Sequence, residues 1–128
     1  HKPDIVILDM GDKFAKTAGF ARLDEALKTN AIHARQIAKL HNCAIFYMSQ
    51  LSAEAENKVV LNQAMMEGSR TGKAAEADLM ILIAKNPPVE GQEEEDNMRH
   101  LNIVKNKLTG WHGIVHGTFD YNTARYEA

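Results

Sequence analysis

Two apolar runs in this sequence end in residues that can do phosphate chemistry. The first, "DIVILDM" (Asp4 to Met10), carries Asp9 at its carboxyl end. In an open α/β sheet that end is where ligands bind. A carboxylate there can hold the water shell of Mg²⁺ on a bound nucleotide. Many buried strands also end in an Asp that caps a turn, so residue type alone leaves both readings open. The second run, "NCAIFYMSQ" (Asn42 to Gln50), ends in Ser49 and Gln50. An uncharged amide at the same edge as Asp9 can hydrogen-bond a γ-phosphate or a water and register its loss. Equally, Ser49 can cap the loop that follows.

A third stretch, "GSRTGK" (Gly68 to Lys73), has the look of a phosphate-binding loop. The pattern G-x-x-x-x-G-K-[ST] needs four residues between its glycines, so that successive N–H groups curl around the phosphates. It also needs a hydroxyl after the lysine to reach Mg²⁺. Here the glycines Gly68 and Gly72 are separated by three residues, and Ala74 follows Lys73. No strand pattern precedes the stretch. It reads as a polar loop entering a short helix.

The elements that must position these groups follow from periodicity. "DIVILDM" is nearly continuous in apolar residues, as expected of a strand buried on both faces in a parallel sheet. Gly11 and Asp12 break it, and Lys13 to Gly19 read as a loop or ragged helical turn. From about Ala21 to His41, Leu23, Leu27, Ala31, Ala34 and Ala38 recur at three- and four-residue steps and share one helical face. "NCAIFYMSQ" is then a second buried strand, and strand–helix–strand in this order is a right-handed βαβ unit. A third apolar strand is expected over Leu79 to Ala84. "NPPVEGQEEED" is a solvated connection. Two more strands, His100 to Lys107 and Gly113 to Tyr121, flank "LTGWHG", a hairpin turn with glycines. The fold class is therefore α/β, with parallel core strands extended by a C-terminal antiparallel hairpin. A strand of the first kind needs neighbours and covering helices on both sides, which points to a piece of a larger domain.

The 128 residues suffice for one modest domain. A formal net charge of −2 excludes a strongly basic nucleic-acid binder while allowing a local basic loop. No run approaches the roughly 18 apolar residues of a membrane span, so no membrane partner is expected. The first residues read as a strand containing an Asp, not as a leader peptide. The single Cys43 excludes an intrachain disulfide framework and fits a reducing compartment such as the cytoplasm.

Taken in order, "PDIVILDM", "HARQIAKLHNCAIFYMSQLS", "KAAEADLMILIAK" and "LNIVKNKLTGWHGIVHGTFDYNTARYEA" resemble the second half of the motor domain of DnaB-like replicative helicases, particularly the phage primase–helicases. The resemblance covers essentially the whole chain. It implies a partial RecA-like P-loop NTPase sheet spanning 1–128, from the Walker B strand onward. The phosphate loop and the catalytic Glu of that family lie upstream of this strand, so the chain alone is not expected to hydrolyse ATP.

The resemblance also implies roles. Asp9 would help coordinate Mg²⁺ and the attacking water, and Gln50, with Ser49 beside it, would sense the γ-phosphate of ATP. The polar stretch from Leu51 to Arg70 would face the channel of a hexameric homo-oligomeric ring. There Lys58 and Arg70, with Lys73 just beyond, are candidate phosphate contacts to single-stranded DNA. Lys105 and Lys107 would reach the neighbouring subunit's nucleotide. Two apart on a strand, they would share a face. The family usually has Arg at the second position, and Lys107 cannot offer its planar two-pronged donor. A recombinase-like or clock-type ATPase without unwinding activity, and a non-catalytic remnant of such a domain, remain as alternatives.

Other residues read as structure. His112 and His116 have a metal-compatible spacing but no third ligand nearby, which favours the surface. His33 and His41 lie two turns apart on the helix as surface or boundary residues. Trp111 suits either base stacking or cover for the hairpin. Met65 and Met66 are packing under the loop, and Glu93 to Asp96 form a solvated tip.

Overall fold

The computed structural model describes residues 2–15, 22–67, 72–91 and 96–127. They fall into two compact units, one of His1–Ser52 with Gln63–Ala77 and the other of Ala53–Asn62 with Asp78–Ala128.

In the first unit, β1 (Ile5–Leu8) pairs in parallel with β2 (Ala44–Tyr47), with Ile5 opposite Ala44 and Leu8 opposite Tyr47. Helix α1 (Leu23–His41) connects them, completing the expected βαβ unit. Its composition favours a helix: Ala and Leu are its commonest residues, with Asp24 and Glu25 in the first turn and Lys39 and His41 in the last. It ends at Asn42, a left-handed residue (φ 48°) whose N–H bonds back to the Ala38 carbonyl.

Ala26, Leu27, Ala31 and Ala34 are buried on α1. Leu23, expected on that face, is 64% exposed and opens the helix. The small buried residues let α1 lie close to α2 (Gly72–Glu76) and to the 3₁₀ turn Gly11–Ala15. Arg35 adds a bond from its guanidinium to the Glu76 carbonyl.

The expectation that β1 is buried on both faces needs correction. Val6, Leu8, Ile45 and Tyr47 are half-buried, whereas Ile5, Ile7 and Phe46 are more than half exposed. Side chains alternate across a strand, and the described residues of this unit cover one face of the pair well and leave the other open.

The second unit is an antiparallel meander in the order β3 (Leu79–Lys85), β4 (Met98–Asn106), β5 (Gly113–Asp120) and β6 (Arg125–Glu127). The third apolar strand thus does not extend the parallel pair. It runs antiparallel to β4, with a bulge between Met80 and Ile81. The parallel core among the described residues is two strands, and the antiparallel part is four. The short strand β6 was not foreseen, because three residues after a turn carry no periodic signal.

Both turns are built by carboxamide or carboxylate side chains. Asn106 Oδ1 accepts from the N–H groups of Leu108 and Thr109. Asp120 accepts from Asn122 N–H and the Thr123 hydroxyl. The Thr123 bond and then the Asn122 bond hold the Asp120 carboxyl below its usual range. Gly113 has a steric reason to be glycine: a Cβ there would stand 2.5 Å from the Trp111 ring.

Met80, Leu82 and Ala84 of β3 are buried, as are His100 and Asn102 of β4. Asn102, 2% exposed, is the most deeply placed polar group described. Its Oδ1 accepts from Leu61 N–H at 3.0 Å, and its amide donates to the Val59 carbonyl at 3.0 Å. One side chain therefore satisfies the backbone of the 59–61 segment and fixes it to the sheet. No helix among the described residues is long and apolar enough to cross a membrane.

Asn102→Ala leaves the Leu61 N–H and the Val59 carbonyl unpaired and is expected to lower stability by about 2 kcal/mol. Urea unfolding followed by circular dichroism measures the loss; an unchanged midpoint would remove Asn102 as the anchor of this segment.

Candidate functional site

Parallel pairing decides where the chemistry-bearing residues of the first unit meet. Because Leu8 lies opposite Tyr47, the chain leaves β1 at Asp9 and β2 at Met48 side by side, both at the carboxyl edge. Met48 N–H bonds to the Leu8 carbonyl at 3.1 Å, and Gly11 N–H returns to the Met48 carbonyl at 2.9 Å. Asp9, Ser49 and Gln50 are exposed at this edge. Between Asp9 and Gly11, Met10 adopts φ 51°, a left-handed conformation that is costly for a residue with a long side chain. It turns the chain sharply from the strand into the 3₁₀ turn.

That turn carries the residue the sequence reading missed. Asp12 sits at the centre of a polar cluster. Lys73 Nζ lies 3.1 and 3.0 Å from its two carboxylate oxygens. The Ser49 hydroxyl donates to Asp12 at 2.5 Å, and Lys73 Nζ donates to Ser49 Oγ at 2.7 Å. The Tyr47 hydroxyl lies 3.3 Å from the other oxygen of Asp12. Only 3% of the Lys73 side chain is exposed, against 20% for Asp12. Burial, and then the negative charge of Asp12, push the Tyr47 hydroxyl up to about 12 from an ordinary 10.

Gly11 is the packing condition for this cluster. A Cβ on it would stand 2.5 to 2.8 Å from the end of the Tyr47 ring. The ring lies close against the glycine, which sets the hydroxyl beside Asp12.

The expected DNA contacts fare unequally. Lys58 is exposed. Lys73 is buried, and its ammonium bonds to Asp12 and Ser49. Arg70 lies outside the described residues, as do Gly68, Ser69 and Thr71 of the glycine-containing stretch and the acidic residues 92–95. A sequence window around Lys73 shows a basic loop, and its partner stands 61 positions away. The usable signal was Asp12 itself, a second carboxylate three residues after Asp9.

In the second unit, Lys105 is half-buried on β4, whereas Lys107 lies just past the strand in the turn. Lys107 Nζ is 3.4 Å from Asp78 Oδ1, an exposed pair of little energetic weight, and its N–H bonds to the Asp78 carbonyl at 2.8 Å.

His116 pairs not with His112 but with His100, directly across the strands, with the Nδ1 atoms 2.7 Å apart. His100 Nε2 faces Asn86 Oδ1 at 2.8 Å, and the Asn86 amide donates to Asp96 at 2.6 Å. Among the described residues no group of three or more His, Cys, Asp or Glu side chains is placed to hold a metal ion.

A solved structure described as an ATPase domain superposes with a TM-score of 0.80 at 17% identity, covering 96% of this chain and 43% of that one. The chain shares that fold. A second structure, of a DnaB-like replicative helicase and its interactions with primase, gives a TM-score of 0.77 at 17% identity, with 96% and 29% coverage. This chain thus spans less than half the length of either. No protein-family model matches the sequence, and no curated protein matches it.

Gly11→Ala is expected to displace the Tyr47 ring and to destabilise the protein by about 1 kcal/mol. Absorbance titration of the three tyrosines checks the same contact. In the parent protein the Tyr47 phenol is expected to ionise near pH 12. In Gly11→Ala, which disturbs the burial of the ring, and in Asp12→Asn, which removes the charge, that ionisation is expected to move toward the ordinary value. Because the folded-state value is raised, the Tyr47 contribution to stability is complete below pH 10 and fades as pH rises toward 12.

Proposed function

We propose that this chain is the part of a RecA-like ATPase domain that begins at the Walker B strand, within a replicative DNA helicase that couples ATP hydrolysis at subunit interfaces to movement along single-stranded DNA. One observation carries the reading: Asp9 and the pair Ser49–Gln50 emerge side by side from adjacent parallel strands at one carboxyl edge. In an open α/β sheet that is the ligand-binding edge. The fold match is consistent with it. The open face of the parallel pair, with Ile5, Ile7 and Phe46, fits a sheet that further polypeptide covers.

The residues present suit Mg²⁺–ATP in part. Asp9 and Gln50 offer hard oxygen ligands, as Mg²⁺ and its water shell require, with Ser49 beside them bonded to Asp12 and Lys73, and Mg²⁺ would supply neutralisation of phosphate charge. Asp12 is not a second ligand, because Lys73 and Ser49 occupy it. The sequence has no G-x-x-x-x-G-K-[ST] cradle, so the phosphates would be held by residues outside this chain. In this reading Asp9 holds the hydrated ion, Gln50 hydrogen-bonds the γ-phosphate or the attacking water, and Lys105 and Lys107 act toward a neighbouring subunit of a hexamer. Lys58 and Arg70 contact the DNA backbone. The setting is the bacterial or phage-infected cytoplasm.

A second reading, an ATPase of this fold without unwinding activity, draws on the burial of Lys73, which thins the basic surface available for DNA. Strand-displacement assays on the intact polypeptide separate the two.

Lys107→Ala in the intact protein is expected to abolish DNA-stimulated ATP hydrolysis while sparing nucleotide binding; unchanged turnover would remove Lys107 from the site. The 128-residue chain alone is expected to show no ATP hydrolysis and no tight ATP binding by calorimetry. Tight binding would contradict a cradle located elsewhere.

A further inference from the structure

We propose that Lys73 is a positioning residue: it fastens α2 to the carboxyl edge of β1 and β2, so that events at that edge and the order of α2 are coupled. The fastening is read from geometry alone; its coupling to nucleotide rests on the reading of the edge given above.

Among the described residues, 63–67 and α2 each meet this edge. Directly after Gln50, Leu51 bridges to Met66 in antiparallel fashion. Ser52 N–H bonds to the Met65 carbonyl at 2.8 Å, and Glu67 N–H bonds to the carbonyl of Gln50 itself at 3.2 Å. α2 meets it through Lys73, in its first turn, bonded to Asp12 and Ser49. Asp12 lies three residues past Asp9, and Ser49 immediately precedes Gln50. Each anchor of Lys73 is therefore a near neighbour of a residue proposed to meet the nucleotide.

The chemistry makes this link sensitive to position. A lysine with 3% of its side chain exposed is tolerated only while its charge is paired and its donors are used. Asp12 supplies the charge and Ser49 a second acceptor, and they come from different strand ends. If the end of β2 shifts as Gln50 follows its ligand, the Ser49 hydroxyl moves with it. Lys73 then loses part of its coordination while still buried, and α2 is released from the edge. The short pairing at Gln50 moves in the same direction because it shares that residue's carbonyl. A surface lysine contacting only water would transmit none of this.

Hydrogen exchange on this chain, parent against Lys73→Met, Lys73→Arg and Ser49→Ala, tests the fastening. Lys73→Met is expected to speed exchange at Glu67, Ser52 and α2 by roughly tenfold or more, with the amides of β3 to β5 unchanged. Lys73→Arg keeps a buried cation and is expected to stay near the parent. Ser49→Ala removes an exposed partner without creating a buried charge, so it folds even if Lys73→Met does not, and it is expected to give a smaller rise confined to the same amides. Unchanged exchange across α2 in Ser49→Ala and Lys73→Met, or an arginine variant as fast as the methionine variant, overturns the proposal.

The intact polypeptide then tests the coupling. A non-hydrolysable ATP analogue is expected to alter exchange in α2 of the parent but not of Lys73→Met, with equal analogue affinity. An equal response in both overturns the coupling. If the parent binds no analogue, the nucleotide reading fails and the coupling with it, while the exchange comparison without ligand still decides the fastening.

Discussion

The parallel ladder between Ile5–Leu8 and Ala44–Tyr47 is the constraint on which the first unit depends. Four residues on each strand fix a register, and that register puts two chain exits next to each other. From one exit come Asp9, the left-handed Met10, Gly11 and Asp12; from the other come Met48, Ser49 and Gln50. A slip of one residue would turn every side chain to the opposite face. It would take Tyr47 off Gly11 and Ser49 away from Asp12. The polar cluster therefore also serves as a register lock: its bonds form in one pairing of the strands and in no neighbouring one.

The second unit is organised differently. Its strands are sequential neighbours, and the turns after β4 and β5 are shaped by Asn106 and Asp120, so register there follows from turn geometry. Its buried polar groups do structural service. Asn102 secures the incoming 59–61 segment, and His100 bridges His116 to Asn86. Full hydrogen bonding is what makes such groups tolerable inside a sheet. Arg99 is likewise absorbed locally, bonded to the Tyr121 hydroxyl and lying over the rings of Phe119 and Tyr121.

Much of this was legible in the sequence because it is written in short-range periodicity. The apolar runs mark β1, β2 and β3; the three- and four-residue steps of Leu27, Ala31 and Ala34 mark α1; the glycines of "LTGWHG" mark the β4–β5 turn. What was hidden depends on distance along the chain. The direction of β3 is set by pairing with β4 across the acidic connection, and an apolar run has no polarity of its own. The burial of Lys73 is set by Asp12, far upstream. The pairing of His100 with His116 follows from β4–β5 register, which a four-residue spacing between His112 and His116 cannot disclose. Lys107 was placed on a strand that stops one residue earlier, a boundary of the kind that fraying ends leave undetermined.

The β4–β5 turn has a practical consequence. Trp111 is the only tryptophan of the chain, about half exposed, with its ring against the backbone of Gly113. Its emission therefore reports the environment of this one turn. Lys107, held to Asp78, lies in the same turn four residues earlier. A partner surface that covers this turn would desolvate the indole and shift its spectrum to the blue, giving an intrinsic optical signal for docking at the end of the second sheet without any label.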